Sequence, residues 1–332
     1  GLAALAGFAR GAGVVGDTLG GGLSWLARRH GLAANRVTAI GLVTADGELV
    51  RTDRDHEPEL FWALRGGGGG FGVVTAMELS LVPLEDVYAG ALFFPFERSA
   101  EVLQAWREWT ATVPDEVTSV GRLMQFPATP GVPEMVRGRS FALVEAAFEC
   151  AEADGAELLR PLRELRPELD TFTTIPPSAL GYLHMDPERP VPGLSDHQLV
   201  GDLPAAAIDD LVAVAGPGSD SPLASVELRH TGGALARSAQ GGGALATLAG
   251  SYCTYAVGVP SDAAPVTAIE AQLALVAGAL APWDAGRCPG LTERPAGAER
   301  FFGAETARRL EAVRAAVDPD GLFRADDPVI RA

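Results

Sequence analysis

The stretch VELRHTGGAL brings Glu227, Arg229 and His230 together. Alternation along a strand puts Glu227 and Arg229 on one face and His230 on the other. An imidazole titrates near neutrality, so His230 has the intrinsic acidity of a general base. A histidine on a strand also reads as a satisfied structural residue, and both readings stay open. Further on, SYCTYAVG carries Tyr252 and Thr254 on one strand face, where they would line a substrate cavity or simply cover a sheet. These three, Tyr252, Thr254 and His230, are the catalytic candidates. His184 in YLHMDPERP and His197 in LSDHQLV fall in loop-like, proline-rich sequence. No Ser, His and Asp stand in the order and context of a nucleophile elbow, and no spacing suits a metal. Cys150, Cys253 and Cys288 are far apart, without a CxxC pair, so neither metal ligation nor a disulfide framework is expected. That usage fits a reduced, cytoplasmic setting.

Two glycine-dense stretches could do a different kind of chemistry. One is GVVGDTLGGG at 13–22 and the other is RGGGGGFGVV at 65–74. Five successive glycines, 66–70, give up a large backbone entropy on folding. Neither stretch continues as Gly-Lys-Ser/Thr, and neither leaves a strand to open a helix as a dinucleotide fingerprint does. Each alone reads as a flexible loop. Together they offer close backbone approach and consecutive N–H groups, which suit a large cofactor with a pyrophosphate.

The elements that must position these residues are legible in outline. The chain has 332 residues, a length that suits two domains. It is 47% hydrophobic and 21% charged, enough for a sizeable core. Its net charge of −17 argues against nucleic acid and against an anionic membrane surface, and otherwise reads as a device for solubility. No uninterrupted run of 18 apolar residues suggests a transmembrane helix. The first stretch lacks the basic n-region of a signal peptide and does not begin with Met. LSWLARRHGL at 23–32 predicts one short helix closed by Gly31. VTAIGLVTADGELVRTD at 37–53 predicts a hairpin about Asp46-Gly47. EPELFWAL at 57–64 predicts a helix, and 71–84 an alternating strand. Beyond residue 84, strands and amphipathic helices mix. The helix after FFPF carries Val102, Leu103, Trp106 and Trp109 on one side. An antiparallel sheet with helices on one face is expected.

GVVGDTLGGGLSWLARRHGLAANRVTAIGLVTADGELV, ELFWALRGGGGGFGVVTAMELSLVP and FFGAETARRLEAVRAAVDPDGLFRADDPV resemble the FAD-linked oxidoreductases of the berberine-bridge-enzyme type. That type belongs to the vanillyl-alcohol oxidase and p-cresol methylhydroxylase (PCMH) superfamily. The resemblance implies an α+β fold: the second subdomain of a PCMH-type FAD-binding domain at 1–84, an α+β substrate domain with an antiparallel sheet flanked by helices at 85–290, and a C-terminal segment at 291–332 that returns to the FAD domain. The family's Arg-x-Gly-Gly-His loop is absent from the sequence, so the resemblance implies a fragment that begins inside the FAD domain. A face left uncovered in such a fragment would favour pairing, so a homodimer is possible. The implied FAD-binding residues are Gly13, Val14, Val15, Gly16, Thr18, Gly20, Gly21, Gly22, Leu32, Asn35, Gly67, Gly68, Phe71, Gly72, Val73 and Val74. In this reading the glycines are there because side chains would collide with the cofactor.

The implied activity is hydride transfer from an alcohol, sugar or secondary-metabolite carbon to flavin N5, by an oxidase or dehydrogenase. Departures from the family pattern qualify it. Ala9 stands where relatives carry a cysteine bonded to the flavin, so the FAD would be noncovalent. Asp17 would either oppose charge on the reduced flavin or face solvent as a turn residue. Gly70 replaces an asparagine. Cys288 and Pro289 stand where relatives carry Tyr-x-Asn, and Thr254 stands where some carry a catalytic carboxylate. The alternative is a truncated, inactive relative, or a small-molecule binding module without flavin.

Overall fold

The structure, a computed structural model, describes residues 1–187, 191–293 and 296–323. The end of the C-terminal motif, 324–332, and part of LTERP, 294–295, lie outside the described residues. The chain divides into two compact units. The first comprises 1–85, 233–248 and 286–332, and the second comprises 86–232 and 249–285. Residues 233–248, placed by the sequence reading within the substrate domain, fall in the first unit, where they pack against 27–35 and against Arg65 and Gly66.

The first unit contains β1 (Leu2–Ala3), α1 (Val14–Leu19), α2 (Ala27–His30), β2 (Val37–Val43), β3 (Leu49–Thr52), α3 (Pro58–Leu64), β4 (Val73–Leu79) and β5 (Val82–Pro83). Strands β3, β2 and β4 form a three-stranded antiparallel sheet, and β1 pairs with β5. The Asp46-Gly47 turn forms as expected, with Gly47 at φ +84° and Thr44 Oγ1 bonded to Asp46. The helix expected over 23–32 is only the single turn of α2, although Gly31 does end it, its N–H donating to Ala27 O. The turn-rich 13–22 holds the short helix α1. Leu60, Phe61 and Leu64 of α3 pack with Ile40, Leu42 and Phe71 to make this unit's core.

The second unit contains β6 (Val87–Pro95), α4 (Ser99–Thr110), β7 (Val117–Gln125), β8 (Ser140–Phe148), α5 (Glu152–Arg163), β9 (Leu169–Asp170), β10 (Thr173–Ile175), β11 (Leu194–Val200), α6 (Ala205–Ala215), β12 (Ser225–His230), β13 (Tyr252–Gly258), α7 (Val266–Leu280) and β14 (Asp284–Gly286). A further helix, α8 (Glu299–Val317), follows in the first unit, where Leu310 and Val313 join the core. The strands of the second unit form one nine-stranded sheet in the order β10-β6-β8-β7-β12-β13-β11-β14, with β9 also paired to β6. LSDHQLV, expected as loop, is the strand β11, paired along its whole length with β13.

Alternation gives this sheet two different faces. On one, Leu92, Phe94, Leu123, Val144, Phe148, Val226 and Leu228 pack beneath the helices, with Trp106 and Trp109 of α4 between them. Apolar residues at 102, 103, 106 and 109 of α4 recur at helical spacing, so one side of that helix is buried as expected. The segment Val266–Trp283 is apolar and long enough to cross a membrane, by length and composition only. In this fold its Ile269, Leu273, Val276 and Leu280 are core residues of the second unit. Replacing Trp106 by Ala removes the largest side chain of this layer. It should lower stability by about 3–5 kcal/mol, read as a lower denaturation midpoint.

Candidate functional site

The opposite face of the nine-stranded sheet carries the charges. The register aligns His197, Tyr255, Glu227, Arg122, Leu143 and Phe93 in one row across β11, β13, β12, β7, β8 and β6. The next row holds Cys253, Arg229, Val120 and Glu145. Arg229 donates to Glu227 Oε2 through Nε at 2.9 Å and pairs with it through Nη2 at 2.8 Å. Arg122 Nε lies 2.7 Å from Ser225 Oγ and 3.6 Å from Glu227 Oε1, and its Nη1 is 3.3 Å from Glu145 Oε1. His184, from the loop after β10, closes the cluster. Its Nδ1 is 2.7 Å from Glu145 Oε2 and its Nε2 is 3.8 Å from Glu227 Oε2. All five of these charged or ionisable side chains are buried.

Burial alone would push the Glu227 carboxyl upward, but Arg229, His184 and Arg122 outweigh it and hold the group down to about 2. Glu227 is therefore a fixed anion, a poor proton acceptor at neutral pH. Burial likewise works against the Arg229 guanidinium, and Glu227 raises it above its ordinary value. The Arg229 guanidinium carbon lies 5.0 Å from the centroid of the Tyr255 ring. Tyr255 is half-buried, whereas His197, Glu227 and Arg122 in its row are buried.

The three catalytic candidates lie on the other, helix-covered face, which removes them from this cluster. The Tyr252 ring meets Trp106 edge-on at 5.7 Å and stacks on His230 at 5.5 Å. Its hydroxyl is 2.7 Å from Thr110 Oγ1 of α4. Thr254 Oγ1 is bonded to the backbone of Gln198, at 3.1 Å from its N–H and 3.2 Å from its carbonyl. The sequence reading missed Tyr255, Arg122, Glu145 and the role of His184. A signal for the sidedness was present: Val226 and Leu228 mark the core face of β12, and His230 shares their parity.

In the first unit the glycines divide into two groups. A Cβ on Gly13 or Gly16 would meet nothing within 4 Å, and Val14, Val15 and Val73 are exposed. The others are closed by protein. A Cβ on Gly66 would overlap Leu245, and one on Gly243 would overlap Arg65. A Cβ on Gly67 would overlap Ala63 O, one on Gly72 would come within 2.7 Å of Leu42 Cδ1, and one on Gly21 within 2.8 Å of Leu245 Cδ2. Gly22 and Gly20 meet Ala33 and Gly290 in the same way. The start of the run, Arg65 and Gly66, is thus packed against 233–248, while Gly67 faces Ala63 and Leu310, and Gly69 faces Leu19. Leu245 N donates to Arg65 O at 3.3 Å, and Arg65 Nη1 donates to Gly241 O at 2.7 Å.

No protein-family model matches the chain. It is 34% identical over 176 residues to the FAD-linked oxidoreductase azaG of Aspergillus niger, which covers 51% of this chain and 35% of that relative. Its fold is similar to that of a chitooligosaccharide oxidase, with a TM-score of 0.81, 20% identity, and coverage of 99% of this chain and 73% of that one. It is also similar to a variant of berberine bridge enzyme, with a TM-score of 0.79, 18% identity, and coverage of 99% and 73%. The chain is thus similar in sequence to FAD-linked oxidoreductases, and it shares the fold of the berberine-bridge type. It spans about a third of the length of the curated relatives it matches.

The cofactor of the berberine-bridge type is FAD, and part of the implied set fits such a ligand. Gly13 and Gly16 leave open space beside α1. Asn35, in the turn that packs against α1, has a buried Oδ1 with no hydrogen-bond partner among the described residues, while its Nδ2 donates to Ala246 O at 2.9 Å. A ligand donor would satisfy that oxygen. The steric reason expected for the other glycines is corrected: Gly20, Gly21, Gly22, Gly67 and Gly72 avoid protein atoms. Leu32, Phe71 and Thr18 are buried side chains, Val74 packs against the core, and Gly68 donates to Leu19 O at 3.0 Å. Asp17 is not turned to solvent. It is half-buried, and its Oδ2 would lie 3.3 Å from a Cβ on Gly22. Cys288 and Pro289 are both buried.

Two outcomes follow from this geometry. Gly66 adopts φ +97° against Leu245, so Gly66→Ala should destabilise the protein by more than about 1 kcal/mol, whereas Gly13→Ala, at φ −70° in open space, should be near neutral. Glu227 has its carboxyl held below the ordinary value of 4.5 in the fold. Its contribution is therefore complete above that ordinary value and is lost as pH falls through about 2. Unfolding measured across that window should show a shallower acid loss in Glu227→Gln than in the parent.

Proposed function

We propose that this chain is part of a FAD-dependent oxidoreductase that takes a hydride from an alcohol, sugar or secondary-metabolite carbon. The backbone at Gly13 to Gly16 and the Asn35 amide would hold part of the cofactor, and Ala9 offers no sulfur for a thioether to it. The charged face of the second unit's sheet would receive a small-molecule substrate. The observation that carries the reading is the division of the glycines. Gly20, Gly21, Gly22, Gly67 and Gly72 are closed by protein, whereas Gly13 and Gly16 face space that a Cβ would enter without contact.

When bound, FAD supplies the two-electron acceptor. A hydroxyl that gives up hydride from its carbon must also lose its proton, and that proton needs an acceptor on the protein. Glu227 is unsuited because its charge is already committed to Arg229 and Arg122. Tyr255 is the half-buried ionisable group of the same row, and it is the residue we assign to the proton.

The test is the visible absorption spectrum of the purified chain before and after FAD is added. Flavin bands should co-purify or shift on addition, and Gly16→Leu should weaken the shift while leaving far-UV circular dichroism unchanged. A spectrum that is the sum of free FAD and protein would overturn the reading. On a substrate found by oxygen-consumption screening, Tyr255→Phe should lower turnover about 100-fold or more.

A further inference from the structure

We propose that Arg229 is a positioning residue that holds the Tyr255 ring and favours loss of its hydroxyl proton, and that Glu227, His184 and Glu145 form the buried line that keeps Arg229 there. The inference rests on the assignment of Tyr255 to the substrate-facing row, and it goes beyond that assignment by naming what sets the acidity of the phenol.

The argument begins with cost. A guanidinium as buried as that of Arg229 is stable only beside a compensating anion. Glu227 supplies it, with two contacts to a single oxygen, Oε2, at 2.8 and 2.9 Å. The other oxygen, Oε1, is turned toward Arg122. A carboxylate gripped at both oxygens cannot swing, so the guanidinium it anchors is fixed in turn. His184 reaches Glu227 from one side and Glu145 from the other. The line therefore runs from β8 through the His184 loop to β12, and ends with the guanidinium 5.0 Å from the Tyr255 ring centroid on β13. A cation over an aromatic ring is attracted by its face, and it stabilises a phenolate more than a phenol.

The groups facing Tyr255 come from three strands. His197 is its direct partner on β11, Glu227 its direct partner on β12, Arg229 its diagonal neighbour on β12, and Cys253 shares its face on β13. Arg229 and Glu227 oppose each other in sign. Removing the cation should raise the phenol, and removing the anion should lower it. A phenol outside the field of this pair would stay where it is in both cases.

The experiment is a tyrosinate absorbance titration of the folded chain, which has 4 tyrosines. Subtracting the curve of Tyr255→Phe isolates the step of Tyr255. It needs neither flavin nor substrate, so its result stands apart from that of the FAD-binding test. In the parent, Tyr255 should ionise below the ordinary phenol value of about 10. Arg229→Gln should return the step to about 10 or above, Arg229→Lys should restore part of the lowering, and Glu227→Gln should move it lower still. A parent step at or above the ordinary value, or a step indifferent to Arg229→Gln and Glu227→Gln, overturns the proposal. Should Arg229→Gln fail to fold, the parent curve and Glu227→Gln decide it.

Discussion

The paired burial of Glu227 and Arg229 is the constraint on which the second unit depends. Each ion taken out of water costs several kcal/mol, and the attraction between them offsets this only when the geometry is good. That requirement fixes the register of β12 against β7 and β13. A slip of one residue would carry Glu227 and Arg229 into the layer now filled by Val226 and Leu228, beneath α4, α6 and α7. It also fixes the loop after β10, because His184 must descend between Glu145 and Glu227. Removing one member of such a cluster strands the rest, at about 3–5 kcal/mol. Charge pairing thus specifies the strand order that the apolar face alone would leave looser.

The first unit depends on a different constraint, the absence of side chains. Residues 233–248 leave the end of β12 and return to the start of β13, and over that interval they lie on the glycine run. The backbone carbonyl of Arg65 meets the amide of Leu245, and the Arg65 guanidinium reaches Gly241 O. Gly243 and Gly66 allow the two backbones to approach to a distance that any Cβ would forbid. The entropy lost at Gly66 is set against this contact between protein segments, and that at Gly67 against its close approach to Ala63 O and Leu310. The free surface by contrast is at 13–16, where the glycines meet nothing.

How much of this was legible in the sequence follows from which interactions are local. Alternation within VELRHTGGAL separates Glu227 and Arg229 from His230, and the structure keeps that separation. Helical spacing in α4 and the turn at Asp46-Gly47 are equally local and equally readable. The partners of Glu227 are not local. Arg122 and Glu145 lie on strands remote in sequence, and His184 comes from a segment without regular periodicity. Tyr252 and Tyr255 are three positions apart, so they point to opposite faces, and local reading singled out the one beneath the helices. Which face is covered is decided by where α4, α6 and α7 pack. β11 was hidden by the prolines before it, although its own seven residues contain none. The glycine run was misread for a related reason: its sequence declares a close approach but not what approaches.

The charged face carries its own control experiment. Its β6 and β8 half is filled by Phe93, Phe141 and Leu143, capped by Phe126 and Val136 from the loop between β7 and β8. The T-shaped pair Phe93 and Phe141, at 5.5 Å, is ordinary core packing. The same sheet, at the same parity, therefore tolerates an apolar covering. Apolar residues of matching volume generally serve stability as well as a buried ion cluster does, or better. Yet from β7 to β11 the face holds Arg122, Glu227, Arg229, Tyr255 and His197 in place of that covering. Stability explains the half that is greasy. The half that is charged needs a reason beyond stability, and the substrate-binding role proposed for this face would supply one.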